Sequence, residues 1–134
     1  MPVIDASVYI ASINPHEVAH QRSLAWLQQA QANQVEIVAP VIIMAEVGAA
    51  LSRGLGNPLL AHQVVQQLRN SALVTLKLVT ADLSQRAAQI AIDHQIRGCD
   101  AIYVALAQEL NDELITLDQQ QLQRGANVVT TKQP

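Results

Sequence analysis

Glu113-Leu114-Ile115-Thr116-Leu117-Asp118 decides the architecture of this chain, because it runs directly into Gln119–Arg124. Leu114–Leu117 is a short aliphatic run fit for a strand, Asp118 closes it, and the glutamine-rich segment beyond has helical composition. The N-terminus has the same form. Pro2–Asp5 reads as a strand whose Val3 and Ile4 are both apolar, as in a strand covered on two faces, and it also ends on a carboxylate. Glu36–Ala39 and Leu73–Val79 supply two further strands, the second alternating Val74, Leu76 and Leu78 with Thr75 and Lys77. Asn127–Val129 is expected to be the fifth.

Helical patterns separate these strands. His16–Ala32 places Ala19, Ser23, Trp26, Leu27 and Ala30 on one stripe behind Pro15, and a helix from about Val41 to Arg53 follows Pro40. Gly54-Leu55-Gly56-Asn57-Pro58 breaks the chain before a helix over Leu59–Asn70. Thr80 caps a helix reaching Gln95 with Leu83, Ala87, Ile90 and Ala91 inward, Gly98 closes that region, and Cys99–Leu110 forms the next. Strands separated by helices imply parallel crossovers. The expected fold class is therefore α/β, a three-layer α/β/α sandwich with a central parallel sheet, formed by residues 1–134 as a single domain.

Half of the chain is hydrophobic, yet Trp26, Tyr9 and Tyr103 are its only aromatic residues, so the core must be built from Ala, Val, Leu and Ile. The lone cysteine, Cys99, excludes an internal disulfide and reads as a small buried side chain in a reducing compartment. The longest apolar run, Ile37–Ala45, falls well short of the ~18 residues that span a bilayer, and no basic segment precedes it. A cytoplasmic location without membrane association is expected. The net charge of −3 does not by itself favour a polyanionic partner.

Four carboxylates interrupt these apolar runs. Asp5 ends the first strand, Glu46 breaks the otherwise apolar Ile37–Leu51, Asp100 opens Ala101–Ala107, and Asp118 ends the fourth strand. An unpaired carboxylate in such surroundings is destabilising by several kcal/mol unless a cation matches it, and none of the eight Lys and Arg residues adjoins these four. If the four share one site, the remaining surface is about neutral and bound cations would make the cleft positive. In doubly wound sheets the ligand site lies beyond the carboxyl ends of the strands, where Asp5 and Asp118 both stand. Neighbouring strand tips are ~5 Å apart, close enough for one ion to span. Oxygen-only ligation suits Mg²⁺ or Mn²⁺, and carboxylates around such ions are suited to phosphodiester hydrolysis. Ser7 and Thr116, each two residues from an aspartate, could orient a ligand or water. Simpler roles exist for three of the acids: Asp5, Asp100 and Asp118 could each be an ordinary helix N-cap, whereas Glu46 in mid-helix has no capping role.

Taken in order, Val3-Ile4-Asp5-Ala6-Ser7, Ala45-Glu46 with Leu51-Ser52-Arg53, Arg97-Gly98-Cys99-Asp100-Ala101-Ile102-Tyr103-Val104-Ala105-Leu106-Ala107, and Leu114-Ile115-Thr116-Leu117-Asp118 resemble the PIN-domain ribonucleases. The compact length is most like that of VapC-type toxins of toxin–antitoxin pairs. The resemblance implies a parallel-sheet PIN fold and a Mg²⁺- or Mn²⁺-dependent endoribonuclease. It places Asp5, Glu46, Asp100 and Asp118 on acidic metal-site positions, Thr116 on a hydroxyl position of the catalytic set, and Arg53 on a basic position suited to phosphate. It also implies an RNA substrate, a cognate antitoxin and a homodimer.

Other readings compete. His16-Glu17-Val18-Ala19-His20 matches the HExxH pattern of zinc peptidases. Against it stands the lack of a third ligand, with His62 and His94 isolated. A phosphoacceptor receiver domain would need a lysine that does not follow Leu114–Leu117. A PIN fold that binds without turnover would have no reason to keep four unfavourable carboxylates. With so few aromatics, stacking would fall to Tyr9, Tyr103 and Trp26, leaving RNA shape and backbone as the expected basis of recognition.

Overall fold

A computed structural model describes all 134 residues. Five strands, β1 (Val3–Ile4), β2 (Ile37–Pro40), β3 (Val74–Lys77), β4 (Leu114–Ile115) and β5 (Thr131–Lys132), form one sheet in the order β3-β2-β1-β4-β5. Every pairing is parallel, with Val3 opposite both Val38 and Leu114, and Ile4 opposite Ile115. The central strand β1 is aliphatic on both faces because both are covered. Val3 and Ile4 have no exposure at all, and burying each such side chain stabilises the fold by roughly 1.5–3 kcal/mol.

The helices are α1 (Ala6–Ile13), α2 (His20–Ala32), α3 (Ile43–Ala49), α4 (Pro58–Arg69), α5 (Ala81–His94), α6 (Gly98–Leu110) and α7 (Gln119–Gly125). Helix α1 packs on α2 and α3, and α3 on α4; α5 and α7 pack on α6, which lies across β1, β2 and β4. Right-handed crossovers put α1–α4 on one face of the sheet and α5–α7 on the other, the expected three-layer sandwich. Tyr103 is the only aromatic residue in the buried core, which is otherwise Ala, Val, Leu and Ile. No helix is long and apolar enough to cross a membrane.

Local chemistry sets the helix ends. Thr80 Oγ1 accepts from the Leu83 amide at 3.1 Å, and Asn57 Oδ1 accepts from the Leu60 amide at 3.0 Å ahead of Pro58. Three expectations are corrected. The last strand is Thr131–Lys132, not Asn127–Val129: the amides of Val128 and Val129 both donate to Gly125 O, turning the chain off α7 before it joins the sheet. Helix α2 begins at His20, because Asn14 accepts the His16 amide on its side chain and the Glu17 amide on its carbonyl, folding residues 15–19 into a turn. The helix expected up to Arg53 is α-helical only to Ala49 and ends in a π-helical turn, Ala50–Gly54.

The chain leaves β1 toward β2 and β3, then returns past β1 to β4 and β5. The order therefore reverses between β1 and β4, and the carboxyl ends of those two strands carry Asp5, Thr116 and Asp118.

Candidate active site at the sheet switch point

Asp5 is the N-cap of α1, so its capping role is real, but capping uses only one of its bonds. Its Oδ1 accepts from Ser7 Oγ at 2.5 Å and the Val8 amide at 3.3 Å, and its Oδ2 accepts from Thr116 Oγ1 at 2.6 Å and Gln121 Nε2 at 3.0 Å. Four donors converge on one carboxylate that is 3% exposed. Burial nevertheless pushes Asp5 up to about 6; those bonds oppose the shift and the charge of Asp100 adds to it.

Thr116 and Ser7 tie the two strand tips together. Thr116 Oγ1 also accepts the Asp118 amide at 3.0 Å, and Ser7 Oγ accepts the Leu117 amide at 3.0 Å. Each hydroxyl thus donates to Asp5 and accepts from the backbone just beyond β4, so the pair fixes the orientation of that carboxylate. Asp118 caps α7, accepting the Gln121 amide at 3.0 Å on Oδ1 and leaving Oδ2 toward the cluster.

Asp100 is not the N-cap of α6. That position is Arg97, and Asp100 stands in the first turn, 7% exposed, with its carboxylate free of capping duty. Glu46 is half-buried on α3 and accepts a hydrogen bond from Tyr103 Oη. Burial raises both acids above their ordinary range. For Glu46 the Tyr103 bond opposes the shift and Asp100 adds to it; for Asp100 the Arg97 contact opposes it and Asp118 adds to it. The same contact with Asp100 raises Arg97. Asp100 is thus the acid within electrostatic reach of the other three.

Two partners escaped the sequence reading. Arg97 Nε donates to Asp100 Oδ2 at 3.0 Å and its Nη2 to Asp118 Oδ2 at 3.2 Å, so a cation does adjoin the cluster. Its spacing of three residues before Asp100 at a helix start was the available signal. Gln121, 2% exposed, also had a signal: Asp118 with Gln three residues later has capping-box form. Its side chain turns instead to Asp5, and its Oε1 is buried without a hydrogen-bond partner.

Other candidates fall away. His16 is exposed in a turn, and His20 Nδ1 contacts the Ala11 carbonyl at 2.7 Å, so the HExxH residues share no helical face. Cys99 is exposed, contrary to expectation, because it stands in the first turn of α6, at the open end of the helix. Tyr103 is 1% exposed and cannot stack on a base. Arg53 lies on the π-helical turn and lines a cleft of about 600 Å³ with Glu46, Ala49, Ala50 and Gly54. A second cleft of about 400 Å³ opens beside Ser7, between Ile10, Leu51, Leu55 and Leu117.

The donor set suits a hard divalent cation in kind: all oxygen, three members raised by burial, and one arginine against four carboxylates. The orphaned Gln121 Oε1 is a further buried oxygen beside Asp5. As arranged, with Arg97 between Asp100 and Asp118, no three acidic, histidine or cysteine side chains converge closely enough to hold an ion.

A PIN domain family model matches residues 3–127. The chain belongs to the PIN domain family. Solved structures share the PIN fold over its whole length. Mycobacterium tuberculosis VapC20, a sarcin-ricin loop cleaving toxin, aligns with a TM-score of 0.79 at 19% identity, covering 100% of both chains. FitAcB from Neisseria gonorrhoeae aligns with a TM-score of 0.70 at 21% identity, covering 98% of this chain and 96% of the other. A chain of a toxin–antitoxin complex from Klebsiella pneumoniae aligns with a TM-score of 0.67 at 16% identity, covering 100% and 98%. Comparison with curated protein sequences gave no match.

Proposed function

We propose that this PIN-family chain is a Mg²⁺- or Mn²⁺-dependent endoribonuclease, and the toxin of a toxin–antitoxin pair. The observation that supports the reading is that Asp5 and Asp118 follow the two strands of the switch point, with Asp100 in electrostatic reach of both and of Glu46 and one arginine bonded between Asp100 and Asp118. These four residues would hold the ion. When bound, a divalent ion lowers the pKa of water and stabilises negative charge on the departing oxygen of a phosphodiester.

The chain's own residues do the rest. Ser7, Val8, Thr116 and Gln121 fix Asp5 in one orientation, and Thr116 couples it to the Asp118 backbone. Thr116, fully buried, is therefore a positioning residue. Tyr103 holds Glu46 toward the same end of the sheet. Arg53, exposed along the cleft beside Glu46, is placed to take a backbone phosphate. The exposed rim offers no cluster of aromatics, which favours recognition of RNA by backbone and shape.

Structural likeness to a toxin that cleaves the sarcin-ricin loop supports an RNA substrate, and likeness to a toxin–antitoxin complex supports an antitoxin partner. A cytoplasmic homodimer, each subunit a single PIN domain over residues 1–134, completes the proposal. The test is cleavage of a structured RNA by purified protein in Mn²⁺, with and without chelator. Activity should vanish in chelator, and D100N should lose more than the roughly 10- to 100-fold that removal of a supporting residue brings. Equal cleavage in chelator refutes the metal mechanism. Antitoxin and RNA binding without any cleavage would favour a PIN fold that only binds.

A further inference from the structure

Arg97 is the N-cap of α6, and its side chain is 69% exposed. No part of it belongs to the core, yet its guanidinium spans the carboxylate cluster. Nε takes Asp100 Oδ2 at 3.0 Å and Nη2 takes Asp118 Oδ2 at 3.2 Å, joining the first turn of α6 to the tip of β4. Its planar fork uses one oxygen of each acid, and on Asp118 it is the oxygen left over from capping, since Oδ1 is already committed to the Gln121 amide. A divalent cation would seek the same oxygens for the same reason, compensation of negative charge in a partly buried site.

We propose that Arg97 is an internal counter-cation that competes with the divalent ion for Asp100 and Asp118 and swings outward when the ion binds. The inference rests on the metal-site reading above and adds a regulatory element to it: ion affinity is set partly by a residue that is not a ligand. Exposure makes the motion easy, since the arm can move into solvent without unpacking anything. The opposite role is also conceivable on geometry alone. Arg97 could hold the two acids at the spacing an ion needs, and its loss would then weaken binding. Competition and support differ in sign.

Mn²⁺ binding to the full-length, metal-stripped protein, measured by calorimetry for wild type, R97A and R97Q, decides between them. Competition predicts tighter binding in both variants, on the order of two- to tenfold for two partly exposed ion pairs, at unchanged stoichiometry. Unchanged or weaker binding by the variants, with wild type binding normally, overturns the role of Arg97 and leaves the metal site standing. No binding by any of the three overturns both. Should the variants fold poorly, the Arg97 Nε–H resonance of the wild-type protein serves instead. It should lose its protection from solvent exchange during a Mg²⁺ titration, with the midpoint of ion binding. A resonance unaltered at saturating Mg²⁺ would mean that the pairing persists, and would refute the proposal.

Discussion

Asp5→Asn removes one negative charge from a site 3% exposed while keeping the side chain's shape. The Asp5 carboxyl titrates at about 6 in the folded protein against an ordinary value of 3.8. The folded state therefore binds this proton more tightly than the unfolded chain does. Stability from that source is greatest below about pH 4, declines as the pH rises toward 6, and levels off above it. A shift of about two pKa units corresponds to a penalty of about 3 kcal/mol for carrying the charge at neutral pH. Asparagine escapes this penalty. Its new amide has an acceptor within reach, because rotating the Gln121 amide brings the unpartnered Oε1 toward it. Any loss of hydrogen-bond strength in the variant is independent of pH and shifts the whole curve without changing its slope. Urea unfolding of both proteins in chelator, from pH 4 to pH 8, should give a stability difference that moves in favour of D5N by up to about 3 kcal/mol across pH 4–6.5. A flat difference, or wild type gaining on the variant as pH rises, would refute the reasoning. Mn²⁺ at a thousandfold excess over Kd should reverse the order at neutral pH, since wild type alone then gains about 4.1 kcal/mol, more than the penalty of about 3 kcal/mol.

Thr116→Val deletes the donor to Asp5 and the acceptor of the Asp118 amide together, and should cost about 2 kcal/mol in unfolding measurements and lower RNA cleavage by roughly 10- to 100-fold, whereas Thr116→Ser should retain both. Full activity in the valine variant would remove Thr116 from the positioning network. Cys99 should react with a thiol reagent in the folded protein without denaturant, since it is exposed. Reaction only after unfolding would contradict its placement on α6.

Asp5 and Asp118 were readable because each ends an aliphatic run, and because alternating strands and helices leave a parallel sheet as the natural solution. Once β1 and β4 are neighbours, the two strand ends must meet. Glu46 was readable for the opposite reason, having no local partner to explain it. Arg97 was missed because proximity along the chain is a poor guide at a helix start. The residue caps α6 and its long arm folds back over Asp100 to reach Asp118 on another element. Asn127-Val128-Val129 has better strand composition than Thr131-Lys132, but the end of α7 draws it into a turn, and pairing of Leu114 with Thr131 sets the edge of the sheet. Tyr103 and Cys99 went astray together. Both lie on α6 one turn apart: Tyr103 is buried beneath Glu46 in the body of the helix, whereas Cys99 stands in the first turn, at the exposed end.

The most direct test is crystallographic: soak crystals in Mn²⁺ and record anomalous scattering at a wavelength that distinguishes manganese from zinc. The account predicts a manganese peak within bonding distance of Asp5 and at least one of Glu46, Asp100 and Asp118, with Arg97 displaced from the two acids. No peak among these four carboxylates, or a peak at His16 and His20 instead, would contradict it.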